Sequence, residues 1–303
     1  MTNAICQTTD LDEEICDCPK HRGQQPAEAE QLAPAEPGLY SGVPDTIYHA
    51  DTRSLSSSGA RRLLETTPRM WKHERDNPEP VSADHFDLGT AVHTLVLGTG
   101  APLVDLGVDE IRKDEVKKAR DAHRDAGRVP LRSKHYRQAK AMADAVRRNE
   151  HATELLSSGE PELSGWYPDP VTGVMLRVRA DWVCWTGPHS AILVDLKTTP
   201  HETPEAFRKS VNSFGYHAQQ AWYQDGFACL GVHTEFEFIA VCDKPPHPVW
   251  RIRLPASAVD VGARMNRRAI DIYAACLESG IWPDWSDYTH EIDLPRWGYF
   301  RED

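Results

Sequence analysis

No stretch of the 303-residue chain is apolar for long enough to cross a bilayer. Its opening residues, MTNAICQTTDLDEEICDCPK, are acidic and lack the basic-then-apolar order of a secretory leader. The expectation is a cytoplasmic protein without a membrane partner. Cysteine is scarce and irregularly placed: the seven, at 6, 16, 18, 184, 229, 242 and 276, are odd in number and form no disulfide framework, which suits a reducing compartment. Cys6, Cys16, Cys18 and nearby His21 invite zinc, but Cys-x-Cys is not a finger spacing and the segment has no core to support a site. A Gly-x-x-x-x-Gly-Lys-Ser/Thr loop is also missing, which argues against a built-in ATP-driven motor. There is no internal repeat.

What is there suits one large domain or two small ones, with 40% hydrophobic residues to form a core. The formal charge of −12 argues at first against a polyanionic partner, but its distribution matters more. Up to Gly38, eight acids face only Lys20 and Arg22, so this stretch supplies −6 of the total. Residues 1–37, rich in Gln, Ala, Glu and Pro and without apolar periodicity, read as a disordered acidic tail ahead of a folded region at 38–303. Between Ile111 and Arg148, thirteen bases face five acids, a local +8. Two helices broken around AGRVPLRS would carry this block, either as solvated surface or, beside a phosphodiester-cutting site, as a phosphate-facing surface.

Serines ahead of GARRLLE predict a capped helix stopped near Pro68, and HFDLGTAVHTLVLG reads as an apolar helix with His93 at its middle. The following part is β-rich. ELSGWY, VMLRVRADWVCW and AILVDLK read as three strands joined by hairpins at PDPVTG and TGPHS. TPEAFRKSVNSF and GYHAQQAWYQDGFACLG read as helices, TEFEFIAVCD and PVWRIRLP as strands, and residues 256–280 as a long amphipathic helix. The aromatic tail IWPDWSDYTHEIDLPRW is expected to pack back on the domain.

Residues two apart on a strand share a face, so Asp195 and Lys197 point one way and Val194 and Leu196 the other. On the preceding strand Arg177, Arg179 and Asp181 would share a face opposite Leu176, Val178, Ala180 and Trp182. The hairpin brings Asp181 beside Asp195. Two adjacent carboxylates repel unless a cation compensates, and oxygen ligands of this kind suit Mg²⁺ or Mn²⁺. The lysine can then orient a water or stabilise charge growing on a phosphate. Taken alone, Asp-x-Lys also reads as a plain salt bridge, and a lone histidine in TAVHTLVL as a core residue.

The order GTAVH, ELSGWY, RVRADWV, ILVDLKTT, GYHAQQAWY resembles that of the PD-(D/E)xK nuclease superfamily in its RecB-like branch, and most closely the RecE-type exonucleases (exodeoxyribonuclease VIII) of phages and prophages. The resemblance extends from about Gly38 to LPRW. It implies an α/β fold: a restriction-endonuclease-like mixed central sheet flanked by helices, with a mainly helical part at 38–157 and a nuclease core at 158–303. It also implies roles. His93, Asp181 and Asp195 would be metal ligands, joined by the Leu196 backbone carbonyl, and Lys197 the catalytic lysine. Glu162 would be an auxiliary acid that supports the first metal or recruits a second, or else a surface acid. Gln219 and Tyr223 match Gln-x-x-x-Tyr, lie on one helical face and would position the DNA backbone; Gln220 has no tyrosine four residues on. Tyr216 would neighbour the site. Arg177 and Arg179 would neutralise carboxylates or touch phosphate.

The implied activity is Mg²⁺-dependent hydrolysis of DNA, with Mn²⁺ able to substitute, running 5′ to 3′ from linear double-stranded ends and leaving 3′ overhangs for phage-type recombination. A homo-oligomer, a tetrameric ring being one form, and a RecT-like single-strand annealing protein would be its partners. Only Cys276 follows the final strands, so no iron–sulfur cluster of the kind some relatives carry is expected. Two other readings stand beside this one: an endonuclease or single-strand or flap nuclease of the same fold, and a catalytically silent scaffold that binds DNA ends.

Overall fold

The computed structural model describes residues 32–78, 87–295 and 298–299. The readings placed on Cys6, Cys16, Cys18 and His21, and on most of the acidic tail, lie outside these residues. Backbone contacts divide the chain into two units, one of residues 1–34 and 44–51, the other of 35–43 and 52–303. In the first unit, helix α1 (Asp45–Ala50) opens with Ile47 and Tyr48 amides donating to the Pro44 carbonyl.

The larger unit begins with β1 (Gly38–Tyr40) and β2 (Leu55–Ser56), followed by α2 (Ser57–Glu65) and α3 (Pro68–Asp76). Both helices start as their sequences require. Ser56 Oγ accepts from Gly59 N at 3.1 Å, and Thr67 Oγ1 from Met70 N at 3.2 Å with Pro68 in the first turn. Pro68, expected to stop a helix, therefore also starts the next one. Then come α4 (Asp87–Leu97), β3 (Leu103–Asp105), α5 (Asp114–Asp125), β4 (Val129–Leu131), α6 (Ser133–Arg148) and α7 (Glu150–Leu156). β3 and β4 pair with each other in parallel, apart from the main sheet. α5 and α6 carry the basic block, and α6 buries Ala139, Met142 and Val146 in a core shared with α4. Part of the block's charge is spent in local pairs: Lys117 with Asp114, Arg137 with Asp109, Arg147 with Asp144.

The main strands are β5 (Glu160–Pro168), β6 (Met175–Gly187), β7 (Ser190–Thr199), β8 (His233–Cys242) and β9 (Val249–Ile252), interrupted by α8 (Pro204–Ser213) and α9 (Tyr216–Cys229) and followed by α10 (Ala256–Ser279). The sheet order is β1-β5-β6-β7-β8-β9 with β2 added to β6. β7 and β8 run parallel and the other neighbours in that order antiparallel, so the sheet is mixed. Helices cover both faces. Leu193, Trp222, Phe227, Phe238 and Tyr273 belong to one core, and Val92, Met142, Val194, Leu196 and Ile239 to the other. A strand covered on both faces reads as a near-continuous apolar run, which is why AILVDL barely alternates.

The expected alternation along β6 breaks at one place. Leu176, Val178 and Ala180 enter the first core, whereas Trp182 packs against the second. The change of face falls at Asp181, and across from it on β5, between the pairs Pro161 with Trp182 and Leu163 with Ala180, Glu162 takes φ 53°. That left-handed conformation is uncommon for a side chain of this size.

The tail packs back in part. Trp282 stacks on Trp71 with ring centroids 5.7 Å apart, and Arg69 reaches Asp284 and Asp287, while Trp285, Tyr288, Ile292 and Leu294 stay exposed.

α9 is held by α10 at backbone contact. A Cβ on Gly262 would stand 2.3 Å from the His217 carbonyl oxygen and 2.7 Å from Ala218 Cα, and Asn266 Nδ2 donates to the Ala218 carbonyl at 2.8 Å. Alanine favours a helix over glycine by about 1 kcal/mol. Overpacking of this kind nevertheless costs about 1–3 kcal/mol. Gly262→Ala should therefore lower stability in a urea melt, and an unchanged or raised midpoint would contradict the close approach of α9 and α10.

Candidate functional site

The β6–β7 ladder ends at Trp182 opposite Val194. Beyond that pair β7 continues alone beside β8, while the edge it leaves on β6 is taken up at Leu176 and Arg177 by β2. The strands thus fork just where Asp181 and Asp195 would be the next pair. At the fork the amide and carbonyl of Leu196 have no strand to bond. Leu196 N donates to Asp181 Oδ2 at 2.9 Å, and His93 Nε2 donates to the Leu196 carbonyl at 2.7 Å. His93 Nδ1 stands 3.7 Å from Asp181 Oδ2.

The other carboxylate is engaged from the opposite layer. Gln219 Nε2 on α9 donates to Asp195 Oδ1 at 2.5 Å and lies 3.3 Å from the Tyr223 hydroxyl, one helical turn on. Lys197 Nζ sits 2.6 Å from Asp195 Oδ2 and 4.8 Å from the centroid of the Tyr216 ring. The lysine is thereby held between an anion and an aromatic face. Gln220, weighed as a rival to Gln219, bonds Gln224 instead.

The charges follow from burial. The Asp195 side chain is 1% exposed, and desolvation outweighs the attraction of Lys197, with Asp181 adding repulsion, so its pKa is pushed up to about 6. Burial alone would pull the Lys197 ammonium down, but Asp195 and Asp181 together hold its pKa above the ordinary lysine value. The pair therefore stays ionised at neutral pH and takes up a proton on Asp195 below about 6.

The remaining sequence-selected residues divide. Glu162 lies on β5 between the residues paired with Trp182 and Ala180, with its carboxylate 3.9 Å from Arg179 Nε. Arg177 and Arg179, read as neutralising carboxylates or touching phosphate, are buried in the framework. Arg177 donates to the carbonyl and hydroxyl of Ser54, and Arg179 to Ser164 Oγ and the Val43 carbonyl, both at 2.8 Å. They tie the segments around β2 to β6. The Tyr216 ring packs on the Lys197 ammonium and on Phe207, Phe214 and Phe238.

One residue escaped the sequence reading. Arg61, on α2, lies close enough for its charge to act on Tyr223, Asp195 and Tyr216, and burial lowers its pKa. Its only sequence cue is its place in GARRLLE, where nothing distinguishes it from Arg62.

The donors at the fork fit a small divalent cation. An imidazole, two carboxylates and a peptide carbonyl form a hard, oxygen-rich set, and the repulsion between Asp181 and Asp195 is shared by a single lysine. Among the described residues no three His, Cys, Asp or Glu side chains already stand in a metal-binding group. His93, Asp181, Asp195 and the Leu196 carbonyl are the groups that would hold such a cation.

Residues 56–294 match the family described as "PDDEXK-like domain of unknown function (DUF3799)". A solved structure named as a "putative exonuclease" from Eubacterium rectale aligns with 87% of this chain and all of its own length, at a TM-score of 0.56 and 12% identity, a likeness of fold. SSO0001 aligns with 79% of this chain and 89% of its own, at a TM-score of 0.32 and 13% identity. No curated protein sequence matches.

Because the pKa of Asp195 is raised on folding, its contribution to stability is full below the ordinary carboxylate range and is lost as pH rises through about 6. A cation relieves that loss only where Asp195 is ionised. Mg²⁺ or Mn²⁺ should raise Tm at pH 8 and lose the effect as pH falls through about 6. A cation effect equally large at pH 5, or none at pH 8, would remove the fork as a metal site.

Proposed function

The chain belongs to the PDDEXK-like domain family DUF3799, and from that premise we propose that it is a divalent-cation-dependent deoxyribonuclease that degrades linear double-stranded DNA from its ends. The observation that carries the reading is the convergence of Asp181, Asp195 and Lys197 at one strand fork, with Gln219 bonded to the second carboxylate. A salt bridge placed only for stability has no need of a second carboxylate beside it and a glutamine to orient it.

His93, Asp181, Asp195 and the Leu196 carbonyl would hold the cation, which would supply Lewis acidity and lower the pKa of water there. The protein's own groups do the rest. Lys197, kept protonated by its two acidic neighbours, stands ready to stabilise charge on the phosphate or to orient the attacking water. Gln219, steadied by Tyr223, fixes the rotamer of Asp195. Asp181 fixes Leu196 through its amide, and His93 fixes the same residue through its carbonyl. Glu162, at the β5 position across from Asp181, is the acid that would support an additional cation.

The resemblance to RecE-type exonucleases extends the proposal to 5′ to 3′ digestion, production of 3′ overhangs for recombination, a ring-shaped homo-oligomer and a single-strand annealing partner. Its support is the succession of motifs from His93 to Tyr223, which one fold draws to one place.

Digestion of 5′-labelled linear, 3′-labelled linear and closed circular duplex in Mg²⁺, with Asp195→Ala as the blank, tests this. Release of 5′ label with circles untouched is the expected outcome. Cutting of circles would make the protein an endonuclease, and inertness on every substrate, with Mn²⁺ tried too, would leave a DNA-binding scaffold. Lys197→Ala should lower turnover by roughly 10²-fold or more while DNA binding changes little. Wild-type turnover in that variant would end the lysine's assignment.

A further inference from the structure

Arg61 and Arg62 are adjacent on α2 yet differently used. Arg62, near the surface, makes two bonds to Glu74, at 2.6 and 2.9 Å. Arg61 is half-buried and bonds only a neutral hydroxyl, Ser57 Oγ at 2.7 Å, with no described carboxylate in ion-pair reach. Glu65 and Asp195 attract it only from beyond ion-pair distance, so a partly desolvated guanidinium is left without a direct anionic contact, a cost that an arriving anion offsets.

Its stem is fixed by Gly215. A Cβ there would stand 2.6 Å from Arg61 Cδ, and Gly215 also has φ 64°, so both the close approach and the backbone turn call for glycine. The residues flanking Gly215 complete the arrangement. Tyr216 lies against Lys197, and the ring of Phe214 stacks on Tyr216, with centroids 5.7 Å apart and planes 27° from parallel. Phe214 is 61% exposed. One of its faces is backed by Tyr216 and the side chain still opens to solvent, which is how a stacking platform is presented. Two contacts, of 5.7 and 4.8 Å, carry from this ring to the lysine ammonium.

We propose that Arg61 and Phe214 together grip the strand being cut: the guanidinium takes a backbone phosphate beside the scissile one, and the Phe214 ring stacks on a neighbouring nucleobase. The proposal rests on the nuclease reading and adds the two residues that would hold a nucleotide in place. The pairing suits single-stranded or frayed DNA, because a base is free to stack on protein only when it has left its own stack. Stacking is tolerant of sequence, so the grip would act on any base.

The test uses the full-length chain carrying Lys197→Ala, to prevent cutting, and a duplex with 2-aminopurine at successive positions near one end. Binding should quench the fluorescence at one or two positions. Adding Phe214→Ala should abolish that quench and weaken binding roughly 10-fold. Phe214→Trp should retain it, which separates stacking from a folding defect. Arg61→Gln should reduce the slope of log affinity against log salt by about 0.7 to 1, and Arg61→Lys should restore it. A quench that survives Phe214→Ala, or a salt slope unchanged in Arg61→Gln, would overturn the grip while leaving the nuclease reading in place. Absence of any DNA binding by the Lys197→Ala chain would overturn both.

Discussion

The site depends on the parting of β6 from β7 after Trp182 and Val194. A buried backbone amide and carbonyl cannot be left without partners, and the fork leaves both groups of Leu196 in that position. Asp181 and His93 supply the missing bonds, so the residues assigned to chemistry are also those that make the gap tolerable. Were β7 to continue along β6, the two carboxylates would lie within a closed ladder. The entry of β2 further along β6 keeps that strand's edge paired while the gap stays open.

Each layer contributes one side of the arrangement. α4 brings His93 from one face and is itself steadied by α6, whose Arg147 bonds the Leu95 carbonyl. α9 brings Gln219, Tyr216 and Tyr223 from the other and is fixed by α10 at Gly262 and Asn266, and by Trp222, which donates to the Arg177 carbonyl at 2.9 Å. The side chains at the fork are therefore held by helices from both layers. Asp195 has one oxygen on an amide and the other on an ammonium, which leaves its side chain little freedom to turn.

Much of this was legible because it depends on periodicity. The two-residue period of a strand brings Asp195 and Lys197 together, and the helical turn joins Gln219 to Tyr223. The hairpin at TGPHS foretold that Asp181 and Asp195 would be neighbours, whereas the mixed α/β sheet flanked by helices was implied by the resemblance in motif order. What stayed hidden depends on tertiary position. Arg61 has the same local sequence environment as Arg62, and only the approach of Gly215 from more than 150 residues away distinguishes them. Arg177 and Arg179 lie on the strand that bears Asp181, so strand period alone put them at the site. The change of face at Asp181 and the bonds to Ser54, Ser164 and Val43 anchor both arginines in the framework, with Arg179 3.9 Å from the Glu162 carboxylate. β2, only two residues long, carries no periodic signal at all.

The parallel pairing of β7 with β8 joins Ser190 to His233 and Thr199 to Cys242, so neither strand can close on the other until the intervening α8 and α9 have been made. Contacts between distant segments form late in folding, because the chain must lose loop entropy before they return anything. The bonds at the fork need α4, β6, β7 and α9 at once. During synthesis Asp195 leaves the ribosome well before the glutamine that orients it, and a partly made chain carries the acids without the geometry. Assembly of the fold and assembly of the side-chain arrangement at the fork are then one event.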